Sequence, residues 1–147
     1  MPVRTYDPKA VSVVVGGVPI HGFADGTFIH LERSTDAFSK VVGTDGIVSR
    51  AKSNDQSGQL TITLAQTSPS NDALYAFAIL DQATATGIVP IFIKDNSGRS
   101  THFSALAWVR KMPPLDYAKE ISNREWIFDL ADYDEFPGGN ADFEPAT

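Results

Sequence analysis

Three histidines, His21, His30 and His102, are the most versatile side chains in the sequence, and none has the close i, i+4 partner that a helical metal motif needs. Cysteine is absent. Disulfides, thiolate metal sites and a cysteine nucleophile are thereby excluded. A Ser-His-Asp arrangement assembles only in space, but no nucleophile-elbow motif supports one. The glycines of "VVGGVP" lack the following helix and "GK[ST]" ending of a phosphate loop. Carboxylates crowd residues 116–144 without the "DxDxDG" spacing of a Ca²⁺ loop. They read as a solvated or lumen-facing acidic surface. Trp108 and Trp126 lie in apolar stretches and read as core residues. A stacking platform for single-stranded nucleic acid would need flanking cations, and only Arg110 and Lys111 adjoin Trp108. No cofactor or metal is expected, and catalysis is not.

The elements that would position such groups follow from hydrophobic periodicity. In "QLTITLAQ" Leu60, Ile62 and Leu64 alternate with Thr61, Thr63 and Ala65, a strand with one apolar and one small polar face. "VSVVVGGVPIHGF" reads as a hairpin turned by Gly16-Gly17, with Pro19 placing the return strand at an edge. "TFIHLER" is the next strand. The segment 34–58 is long and rich in Gly, Ser, Asn and Asp, yet holds Phe38, Val41, Val42, Ile47 and Val48. It reads as a second hairpin around "GTDG" or as an arm whose apolar residues bury against another subunit, and the two readings are compatible. Helical spacing of Leu74, Phe77 and Ala78 predicts one helix over about 69–86, opened by Ser68, Pro69 or Ser70 and stopped at Gly87. "IVPIFIKD", "STHFSALAWVRK" and "LDYAKEISNREWIFDLADY" supply the remaining strands. Seven or eight strands and one helix indicate a mainly β protein, an antiparallel sandwich or barrel with a flanking helix.

At 147 residues the chain reads as one domain over 1–133, with 34–58 as a long loop or arm and 134–147 as an acidic C-terminal tail. Charge is uneven. Residues 1–115 hold ten Lys/Arg and nine Asp/Glu, near +1, and residues 116–147 hold two and nine, near −7, which together make the net −6. Without clustered cations, tight gripping of nucleic acid is not expected, although an acidic surface that repels DNA is. No apolar run approaches the roughly 20 residues of a membrane span. The opening "MPVRTYDPKAV" has no apolar signal core, so a soluble chain made and used in a cytoplasm is expected.

Several stretches taken in order, "RTYDPKAVSVVVGGVPIHGFADGTFI", "STDAFSKVVGTDG", "SNDQSGQLTITLAQTSPSND", "IKDNSG" and "NREWIFDLADY", strongly resemble the tail tube proteins of contractile-tailed bacteriophages. The resemblance spans at least residues 4–133. It implies a fold similar to the inner-tube protein of type VI secretion, in which six copies form a ring and rings stack into a tube in the virion. The implied partners are further copies of the chain, the tail sheath, baseplate, tail terminator and tape-measure proteins, with genomic DNA passing through unbound and assembly in the bacterial host cytoplasm. On that footing Thr61, Thr63, Glu125 and Asp129 are expected to line the channel. Phe38, Val41, Val42, Ile47, Val48 and Phe136 are expected at subunit interfaces. Other readings remain open at this point: a tube terminator or baseplate hub on the same fold, a small β-barrel binding module, and a hydrolase.

Overall fold

The computed structural model describes residue 3 and residues 5–138. Ten strands and one α-helix follow a 3-10 turn at Pro8–Ala10. The strands are β1 (Val11–Val15), β2 (Val18–Pro19), β3 (Ile29–Arg33), β4 (Phe38–Val42), β5 (Val48–Lys52), β6 (Gly58–Ala65), β7 (Val89–Asp95), β8 (Thr101–Lys111), β9 (Asn123–Leu130) and β10 (Asp134–Phe136), with α1 (Ser70–Thr84) between β6 and β7. Eight strands make one antiparallel sheet in the order β2-β1-β7-β8-β9-β6-β3, and β10 continues the line of β9 along β8. β4 and β5 form a separate two-stranded sheet.

Local chemistry accounts for these elements. Gly16 and Gly17 take φ values of 58° and 84°, the paired left-handed conformation that a two-residue hairpin turn demands. β6 buries every second residue, so Leu60, Ile62 and Leu64 lose all contact with solvent. Opposite them in register lie Phe128, Trp126 and Arg124 of β9. Residues directly opposite share a sheet face. One core therefore gathers Val13 and Val15, Ile91 and Ile93, the β6 trio, Trp126, Phe128 and Leu130, with Leu74 and Ala78 of α1 covering it.

The sheet curls because the chain after β2 crosses between its two ends. The Ile20 amide donates to the Val13 carbonyl on β1, while Gly22 and Ala24 exchange hydrogen bonds with Ala65 and Thr63 on β6. The barrel is laced shut there, near the N-terminus of α1. Its opposite mouth, where β3 ends and β6 begins, stays open. Tyr6, Val11, Ile29, Leu31, His102 and Tyr133 line that opening.

Four expectations need correction. Trp108 is not core: it lies opposite Asp129, on the sheet's outer face, and is only half-buried. The helix stops at Ala85, which takes the left-handed conformation at φ 56° and donates its amide to the Asp81 carbonyl. Gly87 serves close approach instead. A Cβ there would sit 2.6 Å from the Phe77 carbonyl oxygen. Gly87→Ala is expected to destabilise the fold by about 2 kcal/mol through this overpacking, read from chemical denaturation. The last long strand begins only at Asn123, because residues 112–122 run irregularly after Met112. The acidic stretch expected to be a loose tail begins as strand β10, since Asp134–Phe136 complete β8's open edge. The rest of that stretch, 139–147, lies outside the described residues.

Candidate functional site

Among the described residues no group of three or more His, Cys, Asp or Glu side chains converges as a metal site, and no helix is long and apolar enough to cross a membrane. The features that can act are surfaces: an open strand edge, a polar sheet face, an aromatic sheet face and a projecting hairpin.

One edge of the sheet is the short β2 and the other is β3. β3 pairs with β6 on one side and has no strand on the other among the described residues. The Thr63 amide donates to the Phe28 carbonyl, and the Ser34 amide donates to the Ser57 carbonyl. Bonded pairs alternate along an antiparallel ladder. Even-numbered residues therefore face β6, and Ile29, Leu31 and Arg33 turn their N–H and C=O groups to the unpaired side. Natural proteins avoid leaving such an edge free unless it has a use.

The polar face covers the outside of β3, β6 and β9. Register places His30 beside Thr61, Glu32 beside Gln59, Thr63 beside Glu125 and Gln59 beside Asp129. Thr61, Thr63 and Glu125 share a shallow depression with Thr27 and His30. Asp129 lies 3.8 Å from the Arg110 guanidinium, so its charge is partly offset. The four residues expected to line a channel thus share one face. Their register is what unites them; the alternating pattern of each strand groups only Thr61 with Thr63 and Glu125 with Asp129.

Across the sheet the outer face turns apolar. Val14, Phe92 and Phe103 stand in cross-strand register, and Phe136 projects from β10 on the same side. Phe92 and Phe103, 40% and 43% exposed, were missed by the sequence reading. The available signal was an unbroken apolar run, "IVPIFI", in which only Ile91 and Ile93 can face the core.

The hairpin β4–β5 bears the other expected interface residues. Phe38, Val41, Val42, Ile47 and Val48 are 45–70% exposed, and every residue of both strands is exposed. One face carries Phe38, Lys40, Val42, Val48, Arg50 and Lys52, as the register dictates. The Arg50 guanidinium lies 4.3 Å from the Phe38 ring centroid. Phe136 sits apart from this group, on β10.

A partly buried polar cluster stands at the open mouth. The Tyr133 hydroxyl donates to the Glu135 carboxylate at 2.6 Å, and Arg33 reaches that carboxylate at 3.6 Å while lying over the Tyr133 ring. Burial, with the neighbouring carboxylate, pushes the Tyr133 hydroxyl well above its ordinary range. Behind it the buried Nδ1 of His102 has no hydrogen-bond partner. Burial lowers the His102 pKa from the ordinary value of 6.5, against the pull of Glu135. The unfolded chain then takes up the proton first as pH falls. This contribution to stability is fully present above pH 6.5 and is lost progressively below it. His102→Gln is expected to flatten the decline in melting temperature between about pH 7 and pH 5, measured by differential scanning calorimetry.

Comparison with known proteins adds a second line of evidence. Residues 11–138 match the family model described as the Bacteriophage PhiTE tail tube protein. Structural protein ORF10 of Pseudomonas phage KPP10 is 32% identical over 151 residues, which cover 97% of this chain and 87% of the relative. Among solved structures, the tube terminating cap of an anti-feeding prophage superposes with a TM-score of 0.64 at 12% identity, over 92% of this chain and 93% of that one. A chain of the sheath-tube complex of an extracellular contractile injection system, PVC, in its extended state gives 0.64 at 15% identity, over 90% and 91%. The PVC sheath/tube terminator gives 0.60 at 14% identity, over 92% and 97%. At these identities the structural likeness establishes the fold alone.

Proposed function

The chain belongs to the Bacteriophage PhiTE tail tube protein family, and from that membership we propose that it polymerises into stacked hexameric rings that enclose the channel for genome delivery. The family is one of structural proteins, not of enzymes. The chain is a tail-tube-type structural protein of a phage tail. The observation that carries the finer reading is the edge of β3, where three residues present backbone groups to no strand among the described residues. A head-to-tail contact at such an edge closes into a ring when the rotation per subunit divides a full turn. Each copy then extends its neighbour's sheet into one large barrel.

In that ring the polar face of β3, β6 and β9 lines the bore. Thr61 and Thr63 leave it wide and hold no base or phosphate. Glu32, Glu125 and Asp129 repel the phosphate backbone, so DNA slides without being gripped. The aromatic face around Phe92, Phe103 and Phe136 then falls on the opposite side of the subunit, available to a surrounding sheath. Sheath, baseplate, terminator and tape-measure proteins are the partners of this reading, in a contractile virion assembled in the host cytoplasm. Electron microscopy of the purified chain is expected to show hollow tubes with six-fold end views; a monomer at every concentration would overturn the reading. The expected cost of reversing the lumen charge is specific. A phage carrying Glu125→Lys and Asp129→Lys assembles tails yet infects about tenfold less well, because cations bind passing phosphates. Unchanged infection by virions shown to hold both substitutions would remove these residues from the bore.

A second reading is a tube terminator, since two of the structures that share the fold carry that description. It predicts single rings that cap existing tubes and do not elongate.

A further inference from the structure

His102 stands at the open mouth of the barrel with a cross-strand neighbour on each side, Ile93 of β7 and Glu135 of β10. Its Nδ1 is buried without a hydrogen-bond partner, and its ring centroid lies 6.4 Å from that of Tyr133. Beside it opens a cavity of about 350 Å³. Two carboxylates border this cavity. Asp95, at the end of β7, is engaged: its Oδ1 accepts from the Ser97 amide at 3.0 Å and from the Ser97 hydroxyl at 2.6 Å. Glu135 divides its oxygens. Oε2 accepts from the Tyr133 hydroxyl, and Oε1 lies 3.6 Å from the Nε of Arg33. That second contact ties β10 to the end of β3 and leaves both partners about one-third exposed. Tyr6, Asp95, Tyr133 and Glu135, with Arg33 lying over the Tyr133 ring, are the titratable and charged groups that the surrounding elements place around His102; β1 contributes only the apolar Val11.

An ion pair this exposed is weakly held, so a second cation can contest it. His102 becomes that cation when it takes a second proton, because both ring nitrogens are then donors. A charged imidazole enclosed in a barrel wall needs a counter-charge, and the strand register supplies Glu135. We propose that His102, Glu135 and Arg33 form a proton-operated latch on the ring-joining edge: neutral His102 leaves Glu135 to hold Arg33 and the end of β3, and protonated His102 draws the carboxylate inward and lets Arg33 go. Once freed, the last residue of β3 loses its tether to β10. The unpaired edge is then less ordered, and an edge that must be ordered on contact joins a neighbour less readily. Burial lowers the His102 pKa from 6.5, so the proton arrives below that pH. Assembly is thus favoured at neutral pH and weakened in acid. The effect on assembly rests on the ring reading above, whereas the latch itself lies within one chain.

The chain has three histidines, so His21→Gln with His30→Gln leaves His102 as its single imidazole. Light scattering gives the concentration needed for assembly at about pH 7.5 and about pH 5, on either side of the ordinary histidine range, with circular dichroism confirming the fold at both. In this background the concentration is expected to rise about threefold or more at the lower pH. Adding His102→Gln or Glu135→Gln abolishes the rise, and adding Arg33→Ala leaves a raised concentration at both pH values. Glu135→Gln separates the latch from the plain cost of charging a buried imidazole, which that substitution leaves in place. A rise that survives Glu135→Gln, or no rise with His102 present, overturns the latch and leaves the tube function intact. Nuclear magnetic resonance of the unassembled chain supplies the second readout. The Arg33 Nε resonance is expected to shift with the same midpoint as the His102 ring, and to stay still in His102→Gln. An Arg33 resonance indifferent to that titration overturns the latch whether or not the chain assembles. Failure of the native chain to make rings or tubes at either pH overturns the tube function, and the resonance titration then decides the latch alone.

Discussion

Arg33→Pro is expected to raise the concentration needed for assembly about tenfold or more, while Arg33→Ala raises it far less. The argument lies in the backbone. Arg33 ends β3, and the ladder alternation points its N–H away from β6. Proline removes that donor and puts a ring in its place, yet keeps every bond from β3 to β6. Proline also favours an extended Glu32, which β3 already has. The alanine variant separates the side-chain effect, since Arg33 also pairs with Glu135 and covers Tyr133. Light scattering against concentration and electron microscopy of the end products provide the readout. Equal assembly by the two variants would show that this edge is not the joint between neighbours.

Asn71→Leu is expected to cost about 3 kcal/mol of folding stability, or about 10 °C in melting temperature. Asn71 is buried at the start of α1 and makes three short hydrogen bonds. Its amide donates to the Ala65 carbonyl at 3.1 Å and the Ser68 carbonyl at 3.0 Å, and its Oδ1 accepts from the Trp126 indole at 2.9 Å. These bonds hold the β6–α1 turn and fix the helix over the core. Leucine matches the shape but leaves a buried indole N–H without a partner, while the Ala65 and Ser68 carbonyls keep only their bonds from the backbone amides of Ser68 and Asn71. An unsatisfied buried donor costs more than the bond itself contributed. Adding Trp126→Phe removes that orphaned donor. The double variant should therefore lose less than the sum of the two single losses, in a double-mutant cycle followed by thermal melting below the assembly concentration. Strict additivity would mean that the two side chains act independently.

The hub at Asn71 illustrates which features can be read along the chain. The sequence offered its neighbours Ser68 and Ser70 as capping residues, but the N-cap is Pro69, with no side-chain cap bond, and the Ser68 hydroxyl accepts the Ser70 amide at 3.2 Å in a local turn instead. That same hydroxyl also donates to the His21 carbonyl at 2.5 Å, and the Ser70 hydroxyl accepts the His21 amide at 2.8 Å. No periodicity encodes those partners, 47 and 49 residues away. Trp108 and Trp126 make the same contrast. Both lie in apolar strands, but register puts one outside and the other in the core. A single strand's alternation says which residues share a face, never which face is inside.

Determined by the sequence itself were the elements and their chemistry: a two-glycine hairpin, a two-faced strand at 59–66, one helix, a hairpin or arm within 34–58, and no cysteine. These follow from steric preferences and from the period at which apolar side chains recur, which are local properties. Tertiary structure alone decided that β3 is an open edge, that Thr61, Thr63, Glu125 and Asp129 share a face, and that His102 stands across from Glu135. Each depends on pairing between residues far apart in the chain, because a strand's hydrogen-bonding capacity is set by which neighbours fold brings to its two sides.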